Sequence, residues 1–265
     1  MAPFTALPAR VGSGWTTVES QRPFTDGRPV DGSRRMVIAD VRSVPAVLVS
    51  VSGDDLLARL KRERLLAIVR TGDPDAALAV ASTLIRTGVP LLEVSLTTPG
   101  ALGVIQQLVK DFDGSEPRLC VGAGTVLSAE QARQAADAGA TFLVTPALTP
   151  ALEAAASLGL PVLAGAVTPT EVLEALRRGA TAVKLFPAGQ VGAAGYLKAL
   201  REPLPDVPFV PVGGVDETSV PQYLAAGAVA VGVGSPLVAD AAHGGDLGAL
   251  ADRARRFLAL VAETG

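Results

Sequence analysis

From about residue 65 onward the chain repeats one unit, a short apolar run followed by an amphipathic segment that opens at Asp, Ser, Thr or Pro and closes at Gly. Apolar runs of this kind predict buried strands, and the segments between them predict helices. The predicted strands cover residues 65–70, 91–96, 119–126, 142–146, 161–166, 182–187, 209–212 and 228–234. Eight such units in about 200 residues favour a compact (β/α)8 barrel.

Single residues mark the predicted helix ends. Glycine is typical just past the end of a helix, where the backbone turns left-handed. The glycines that close the predicted helices are Gly88, Gly139, Gly159, Gly179 and Gly227. Capping boxes are predicted at Ser128 with Gln131 and at Thr168 with Glu171.

An open, doubly wound sheet is the alternative fold for the same pattern. That fold usually carries a glycine-rich phosphate fingerprint at the first strand-to-helix turn, and Arg-Thr-Gly-Asp at 70–73 is not one. We therefore predict an α/β fold, a (β/α)8 TIM barrel over residues 53–265. An extra helix at 54–63 is expected to cover one end of the barrel, and the last helix is expected at 246–262.

Residues 1–52 differ in composition from the barrel region. Five prolines are interspersed with Gly, Ser, Arg and Asp, without sustained periodicity. Such a composition is typical of a disordered or loosely attached segment. We predict an N-terminal extension here, with the apolar run at 46–49 as a candidate for one short additional strand.

The charge pattern and the rare residue types exclude several functions. A net charge of -3 with scattered Lys and Arg argues against nucleic acid and membrane partners. No apolar run is long enough for a membrane span or a signal peptide, and a lone Cys120 fits a reducing cytosol, so a cytoplasmic protein is expected. His243 is the only histidine, so a zinc site with several histidine ligands cannot form, and we predict a plain loop residue there.

Lys184 stands in the middle of an otherwise apolar predicted strand at 182–187. Removing an ammonium from water is costly, so burial favours the neutral amine. The neutral amine is the form that attacks a carbonyl to make a Schiff base. The structural alternative is a lysine at a strand end whose charged head reaches solvent.

Polar residues at the C-terminal ends of the strands are the strongest candidates for a functional site, because the active sites of barrels lie at those ends. Two-residue alternation places Glu93, Ser95 and Thr97 on one face of the second strand, and Lys184 with Phe186 on one face of the sixth. Both faces can point into the barrel. A buried glutamate and a buried lysine that reach a common cavity would account for each other's presence there. The alternative is a purely structural ion pair, which is a poor source of stability when buried.

Three further positions at strand ends offer groups that bind anions. Arg70 ends the first strand, and its guanidinium fork matches a carboxylate; the alternative is a solvated cap of the next loop. Gly213-Gly214 and Gly234-Ser235 follow the last two strands, where barrels often bind phosphate through backbone N–H groups. Together the two turns predict a phosphate site.

With these residues identified, the chain resembles the 2-keto-3-deoxy-6-phosphogluconate (KDPG) aldolases and the related 4-hydroxy-2-oxoglutarate (KHG) aldolases from about residue 65 to residue 261. The motifs that carry the resemblance lie at 92–96, 122–126, 144–146, 165–171, 183–187, 213–215 and 232–235. The resemblance implies a class I aldolase, commonly a homotrimer, that needs no metal or cofactor. It would cleave a 2-keto-3-deoxy-6-phospho sugar acid to pyruvate and glyceraldehyde 3-phosphate.

The resemblance also implies a role for each matching residue. Lys184 matches the Schiff-base lysine, and Glu93 matches the general acid/base. The positions that line the pyruvate pocket are matched by Thr125, Pro146 and Phe186. The phosphate-binding turns are matched by Gly213, Gly214, Gly234 and Ser235.

Two positions depart from the commonest pattern of this family. Many members have an arginine where Thr97 stands, whereas others have it where Arg70 stands, so we assign carboxylate binding to Arg70. Val212 replaces the threonine that usually precedes the two glycines of the gluconate enzymes. Valine there is similar to the 6-phosphogalactonate aldolases, and the lost hydrogen bond is enough to shift the choice between the two epimers.

Three other functions remain open on the sequence. One is cleavage of 4-hydroxy-2-oxoglutarate, which carries no phosphate. Another is a phosphate-binding barrel of a different kind, such as an isomerase or a transferase resembling thiamine-phosphate synthase, which does not need a lone lysine in strand six. The last is a barrel that has lost its catalytic activity and acts as a ligand sensor or scaffold. The presence of Glu93, Thr125 and Lys184 argues against it.

Overall fold

A computed structural model describes residues 51–115 and 118–264 of the chain. Within these residues, eight parallel strands form one sheet in the order β7-β6-β5-β4-β3-β2-β1-β8. Val212, just after β7, makes a parallel bridge to Gly232 in β8, which brings the two ends of the sheet together. The predicted (β/α)8 barrel is therefore confirmed, and the open-sheet alternative is wrong.

Helices alternate with the strands along the described chain. The strands are β1 Leu65–Val69, β2 Leu91–Ser95, β3 Cys120–Gly124, β4 Phe142–Val144, β5 Val162–Ala166, β6 Ala182–Leu185, β7 Phe209–Pro211 and β8 Val231–Val233. The helices are α1 Gly53–Glu63, α2 Pro74–Arg86, α3 Ala101–Asp111, α4 Ala129–Asp137, α5 Ala151–Leu158, α6 Pro169–Arg177, α7 Ala193–Arg201, α8 Ser219–Ala225, α9 Ser235–Val238 and α10 Leu247–Glu263. Two short 3-10 turns lie at Gly189–Val191 and Ala239–His243.

Most strands end earlier than the apolar runs predict. Arg70, Thr125 and Phe186 each follow the last residue of a strand instead of belonging to it. Thr125 has φ of 59°, a left-handed conformation that a strand cannot contain. Pro187 has no N–H to donate to a neighbouring strand. The residues at the barrel mouth therefore lie on the loops that leave the strands.

Side chains alternate between the inside of the barrel and the helical layer. The interior cluster contains Leu66, Ile68, Leu91, Phe142, Val144, Leu163, Ala182, Val210, Val212 and Ala230. The residues between these positions, such as Ala67, Leu92 and Val183, belong to the larger cluster that includes residues of the surrounding helices. This alternation places Glu93 and Lys184 inside the barrel, as predicted.

Helix α1 closes one end of the barrel interior, as predicted. Its Leu56 and Leu60 are fully buried in the interior cluster, together with Leu91 and Cys120, the first residues of β2 and β3. Burial raises the pKa of the Cys120 thiol, which contacts Thr141 at 3.3 Å and lies at the end of the barrel opposite the strand C-termini.

The predicted helix ends are mostly confirmed. All five predicted closing glycines have positive φ, and Thr168 with Glu171 forms a full capping box. At α4 the prediction is half right. Ser128 accepts a hydrogen bond from the Gln131 backbone, but the Gln131 side chain accepts from Leu127 instead of returning to Ser128.

The predicted extension at 1–52 lies outside the described residues except for its last two. Of these, Val51 packs against the interior cluster and Ser52 caps α1 in a capping box. The possible strand at 46–49 and the division at residue 52 therefore remain predictions. Among the helices of the described residues, none has the length and apolar character to cross a membrane.

Candidate active site

A cavity of about 560 Å³ opens at the C-terminal ends of the strands. It collects side chains and turns from loops that are far apart in sequence. Every predicted site residue except Glu93 lines it: Arg70, Thr97, Thr125, Pro146, Lys184, Phe186, Val212, Gly213, Gly214, Gly234 and Ser235. The remaining lining residues are Ile68, Val215, Gly232 and Pro236.

Glu93 is fully buried beside Lys184 and does not itself line the cavity. Its Oε1 is 3.9 Å from Lys184 Nζ, and the two side chains are 0% and 5% exposed. Both carboxylate oxygens of Glu93 lack a hydrogen-bond partner within the described residues. Burial raises the pKa of the Glu93 carboxyl, while the charges of Lys184 and Arg70 oppose that shift. This buried carboxyl can exchange a proton with a group bound at Lys184.

Gly124 makes the space that the Glu93 carboxyl occupies. Strands β2 and β3 pair with Ser95 opposite Gly124, at the end of both strands. A Cβ atom built on Gly124 would lie 2.7 Å from the carboxyl carbon of Glu93. A side chain at this position would therefore displace the carboxyl group. The sequence identified Gly124 only as part of a motif, because its neighbour across the strands is 31 residues away.

A second glycine near the lysine, Gly165, is required by a close backbone contact. Gly165 on β5 pairs with Lys184 on β6. A Cβ atom on Gly165 would lie 2.2 Å from the backbone of Pro146, so the loop that contains Pro146 can approach only a glycine. Above the amine, the Phe186 ring has its centroid 5.4 Å from Lys184 Nζ. The amine is thus enclosed while one side stays open to the cavity.

Arg70 borders the cavity together with three hydroxyl groups. Its Nε donates to Ser95 Oγ at 3.4 Å, and its Nη2 donates to Thr125 Oγ1 at 3.5 Å. Ser95 Oγ also contacts Thr97 Oγ1 at 2.8 Å and Thr125 Oγ1 at 3.0 Å. Within the described part of the chain, no carboxylate forms an ion pair with Arg70. Its charge is therefore available to an anion in the cavity.

The turn after β7 contributes backbone to the cavity lining. Gly213 and Gly214 have φ of 89° and 74°, so both adopt the left-handed conformation that favours glycine. A Cβ atom on Gly213 would lie 3.1 Å from the Phe186 ring. Gly214 makes no hydrogen bond in the part of the chain that the structure describes. Consecutive left-handed glycines form a backbone arrangement that binds anions.

A smaller cavity of about 340 Å³ lies beside the first and shares Ile68, Arg70, Gly234 and Ser235 with it. His243 is exposed at its rim, outside the main cavity. In residues 51–115 and 118–264, no three His, Cys, Asp or Glu side chains come together as a metal ion would require.

Known proteins are similar to this chain in sequence and in fold. Residues 56–251 match the family described as KDPG and KHG aldolase. The chain is 38% identical over 186 residues to a probable 2-dehydro-3-deoxy-6-phosphogalactonate aldolase of Rhizobium meliloti, covering 69% of this chain and 85% of that protein. It is 36% identical over 181 residues to the KHG/KDPG aldolase of Escherichia coli, with 68% and 83% covered.

Among solved structures, a KDPG aldolase of Legionella pneumophila with pyruvate captured as a covalent carbinolamine matches with a TM-score of 0.68. The identity is 28%, and the match covers 77% of this chain and 96% of that chain. On the family match and on these identities, the chain belongs to the KDPG and KHG aldolase family.

Proposed function

We propose that the protein is a class I aldolase that cleaves a 2-keto-3-deoxy-6-phospho sugar acid to pyruvate and glyceraldehyde 3-phosphate. The observation that carries this proposal is the buried pair of Lys184 and Glu93, 3.9 Å apart at a cavity on the C-terminal side of the barrel. The Legionella relative, captured with pyruvate as a carbinolamine, supports the same chemistry here.

Lys184 begins the reaction as the nucleophile. Its neutral amine attacks the C2 carbonyl of the substrate, forming a C–N bond and a carbinolamine. The C2 hydroxyl then leaves as water, taking a proton from the Glu93 carboxyl, and an iminium forms. The raised pKa of Glu93 supports this step, because a buried carboxyl holds its proton more readily than an exposed one.

Glu93 next acts as the base. Its carboxylate, directly or through a water, takes the proton of the C4 hydroxyl. The C3–C4 bond then breaks and its electron pair moves to the iminium, which leaves an enamine on Lys184 and releases the aldehyde. Protonation of the enamine at C3 and hydrolysis of the imine return pyruvate and free Lys184.

Arg70 is the proposed partner of the C1 carboxylate. Its guanidinium contacts only neutral hydroxyls, those of Ser95 and Thr125, within the described residues. A guanidinium fork matches a carboxylate in two hydrogen bonds. Thr97 and Thr125 offer hydroxyls beside it, while Pro146 and Phe186 supply apolar walls around the pyruvyl group.

The phosphate is proposed to bind at the turns after β7 and β8. Gly213 and Gly214 offer backbone with left-handed φ, and Ser235 adds an exposed hydroxyl next to Gly234. These turns favour a phosphorylated substrate over 4-hydroxy-2-oxoglutarate. Val212 lines the same cavity, and the Rhizobium relative is named for the galactonate epimer, so we propose that this epimer is accepted at least as well as the gluconate one.

A homotrimer in the cytoplasm completes the proposal. Leu127 just before α4, Leu158 at the end of α5 and Leu173 in α6 are 49%, 41% and 54% exposed, and burial between subunits would remove such leucines from water. A single cysteine supports a reducing compartment. Sedimentation or light scattering should give a mass three times that of the 26.8 kDa chain, and a mass of one chain would contradict the trimer.

Borohydride reduction in the presence of pyruvate tests the imine directly. We expect a pyruvate-derived adduct that peptide mass spectrometry locates on Lys184. The variant Lys184→Ala should form no adduct and lose turnover, whereas Lys198→Ala, an exposed lysine on α7, should behave as the wild type. A folded wild-type protein without an adduct would exclude class I chemistry, and turnover without an adduct would favour another phosphate-binding barrel.

A further inference from the structure

Ser95 is a buried polar residue that the proposed mechanism does not use. It lies at the C-terminal end of β2, it is 0% exposed, and it does not line the cavity. Its hydroxyl nevertheless contacts three residues that do line it, Thr97 at 2.8 Å, Thr125 at 3.0 Å and Arg70 at 3.4 Å. Ser95 therefore links residues that follow the C-terminal ends of β1, β2 and β3.

The donors and acceptors around Ser95 Oγ limit how this group is arranged. A serine hydroxyl has one proton to donate and two lone pairs that accept. The Nε of Arg70 can only donate, so one lone pair accepts from Arg70. With two threonine contacts remaining, Ser95 donates to one threonine and accepts from the other. All three positions of the hydroxyl are then occupied.

This arrangement leaves one threonine proton unused. Thr97 and Thr125 make no other side-chain hydrogen bonds among the described residues, apart from the contact between Thr125 and Arg70. One threonine gives its proton to Ser95, so the other keeps its O–H free at the cavity. Reversing the direction of both contacts moves the free O–H from one threonine to the other without moving a heavy atom.

We propose that Ser95 is a positioning residue for the carboxylate end of the substrate. It holds Arg70 in place by accepting from Nε, so that Nη1 and the second N–H of Nη2 remain for an anion. It also allows either Thr97 or Thr125 to present the one free hydroxyl proton beside the guanidinium. A carboxylate can accept from the guanidinium and the hydroxyl at once. This inference rests on the proposed function, because it assumes that a keto acid binds at Lys184.

Two ketones separate this role from a general structural one. Pyruvate carries the carboxylate, whereas acetone offers Lys184 the same carbonyl without it. We would measure the initial rate of borohydride-trapped adduct formation by intact mass, at concentrations below saturation of each ketone. The proteins are the wild type, Ser95→Ala, Ser95→Thr and the control Ser157→Ala, which removes an exposed hydroxyl on α5.

With pyruvate, Ser95→Ala should form adduct roughly tenfold more slowly than the wild type, because one ordered hydrogen-bond group is lost. With acetone the rates should agree within about twofold, and Ser95→Thr should restore most of the rate with pyruvate. Ser157→Ala should match the wild type with both ketones.

An unchanged rate of Ser95→Ala with pyruvate would overturn the positioning role. An equal fall with both ketones would also overturn it, since damage near Lys184 itself would then be the cause. If the wild type formed no adduct with either ketone, the proposed imine chemistry would fail first. That result differs from a wild type that forms the adduct and a Ser95→Ala variant that forms it equally well.

Discussion

The Nζ atom of Lys184 lies 3.9 Å from Oε1 of Glu93, beyond the length of a normal hydrogen bond. Neither oxygen of Glu93 has a hydrogen-bond partner in the described residues. A buried pair with this geometry is a poor source of stability, because the attraction does not offset the loss of hydration. The arrangement instead leaves room and bonding capacity for a reacting group between the two side chains.

Replacing Glu93 by Gln should cut turnover by the ~10²–10⁴ typical of a lost general acid/base. Glutamine keeps the shape of the side chain but cannot take the C4 hydroxyl proton. The measurement is kcat with each phosphorylated epimer, and Glu130→Gln on the surface of α4 is the control. Turnover of Glu93→Gln within threefold of the wild type would remove Glu93 from the chemistry.

The same substitution should change how stability depends on pH. Burial raises the pKa of Glu93 above its ordinary value of 4.5. Below pH 4.5, Glu93 is protonated in both the folded and the unfolded state, and the stabilising effect of the neutral carboxyl is fully present. As the pH rises through the raised pKa, the unfolded chain has already released this proton, so the folded state loses stability.

Glu93→Gln has no proton to lose at this position. Relative to the wild type, its free energy of unfolding should therefore rise as the pH increases above 4.5, as measured by urea titrations. Glu130→Gln should show no such trend relative to the wild type. A difference between Glu93→Gln and the wild type that stays constant with pH would contradict the raised pKa.

Gly124→Ala should damage catalysis through Glu93 alone. The added Cβ would meet the Glu93 carboxyl at 2.7 Å, so the carboxyl must move. A misplacement of this size in a catalytic group can cost ~10² in rate. Gly103→Ala on α3 is a matched control, because its Cβ would meet nothing within 4 Å. Both variants should still form the pyruvate adduct at Lys184. A kcat of Gly124→Ala equal to that of Gly103→Ala would contradict the prediction.

Much of this architecture follows from the sequence because the signals are local. Apolar runs give the strands, and glycines past the helix ends give the boundaries, as at Gly159 and Gly179. Two-residue alternation is equally local, and it places Glu93 and Lys184 inside the barrel correctly. Exact strand ends are less predictable, because a strand stops where its neighbour no longer pairs with it.

The relationships between strands could not be predicted in the same way. The three partners of Ser95 come from positions 70, 97 and 125, and their convergence depends on the register of β1, β2 and β3. The space that Gly124 leaves for Glu93 depends on the same register. Helix α9 was also missed, since its four residues are too few for a periodic pattern.

Arg70→Gln should weaken substrate binding more than it slows the chemical steps. Hydrogen bonds to a charged group contribute ~1.5–3 kcal/mol, so KM should rise by ~10–100-fold. Lys184 and Glu93 remain in place, so kcat should change much less. Steady-state kinetics measure both constants, with Arg133→Gln on the exposed surface of α4 as the control. An unchanged KM would exclude Arg70 as the carboxylate ligand.

Val212→Thr should shift the choice between the two epimers. Val212 is 4% exposed at the end of β7 and lines the cavity beside Gly213, on the side proposed for the phosphate. Threonine has almost the same shape but adds a hydroxyl that can bond a substrate hydroxyl. One such bond contributes ~0.5–1.5 kcal/mol, so the ratio of kcat/KM for gluconate over galactonate should rise by ~2–10-fold.

The variant Val210→Thr controls for a buried hydroxyl as such, because Val210 lies in the barrel interior without lining the cavity. It should lower stability and leave the ratio between epimers unchanged. If Val212→Thr lowers kcat/KM equally for both substrates, the residue contributes packing and not selectivity. If the ratio moves toward galactonate, the substrate hydroxyl at C4 lies away from Val212, and another residue of the cavity must distinguish the epimers.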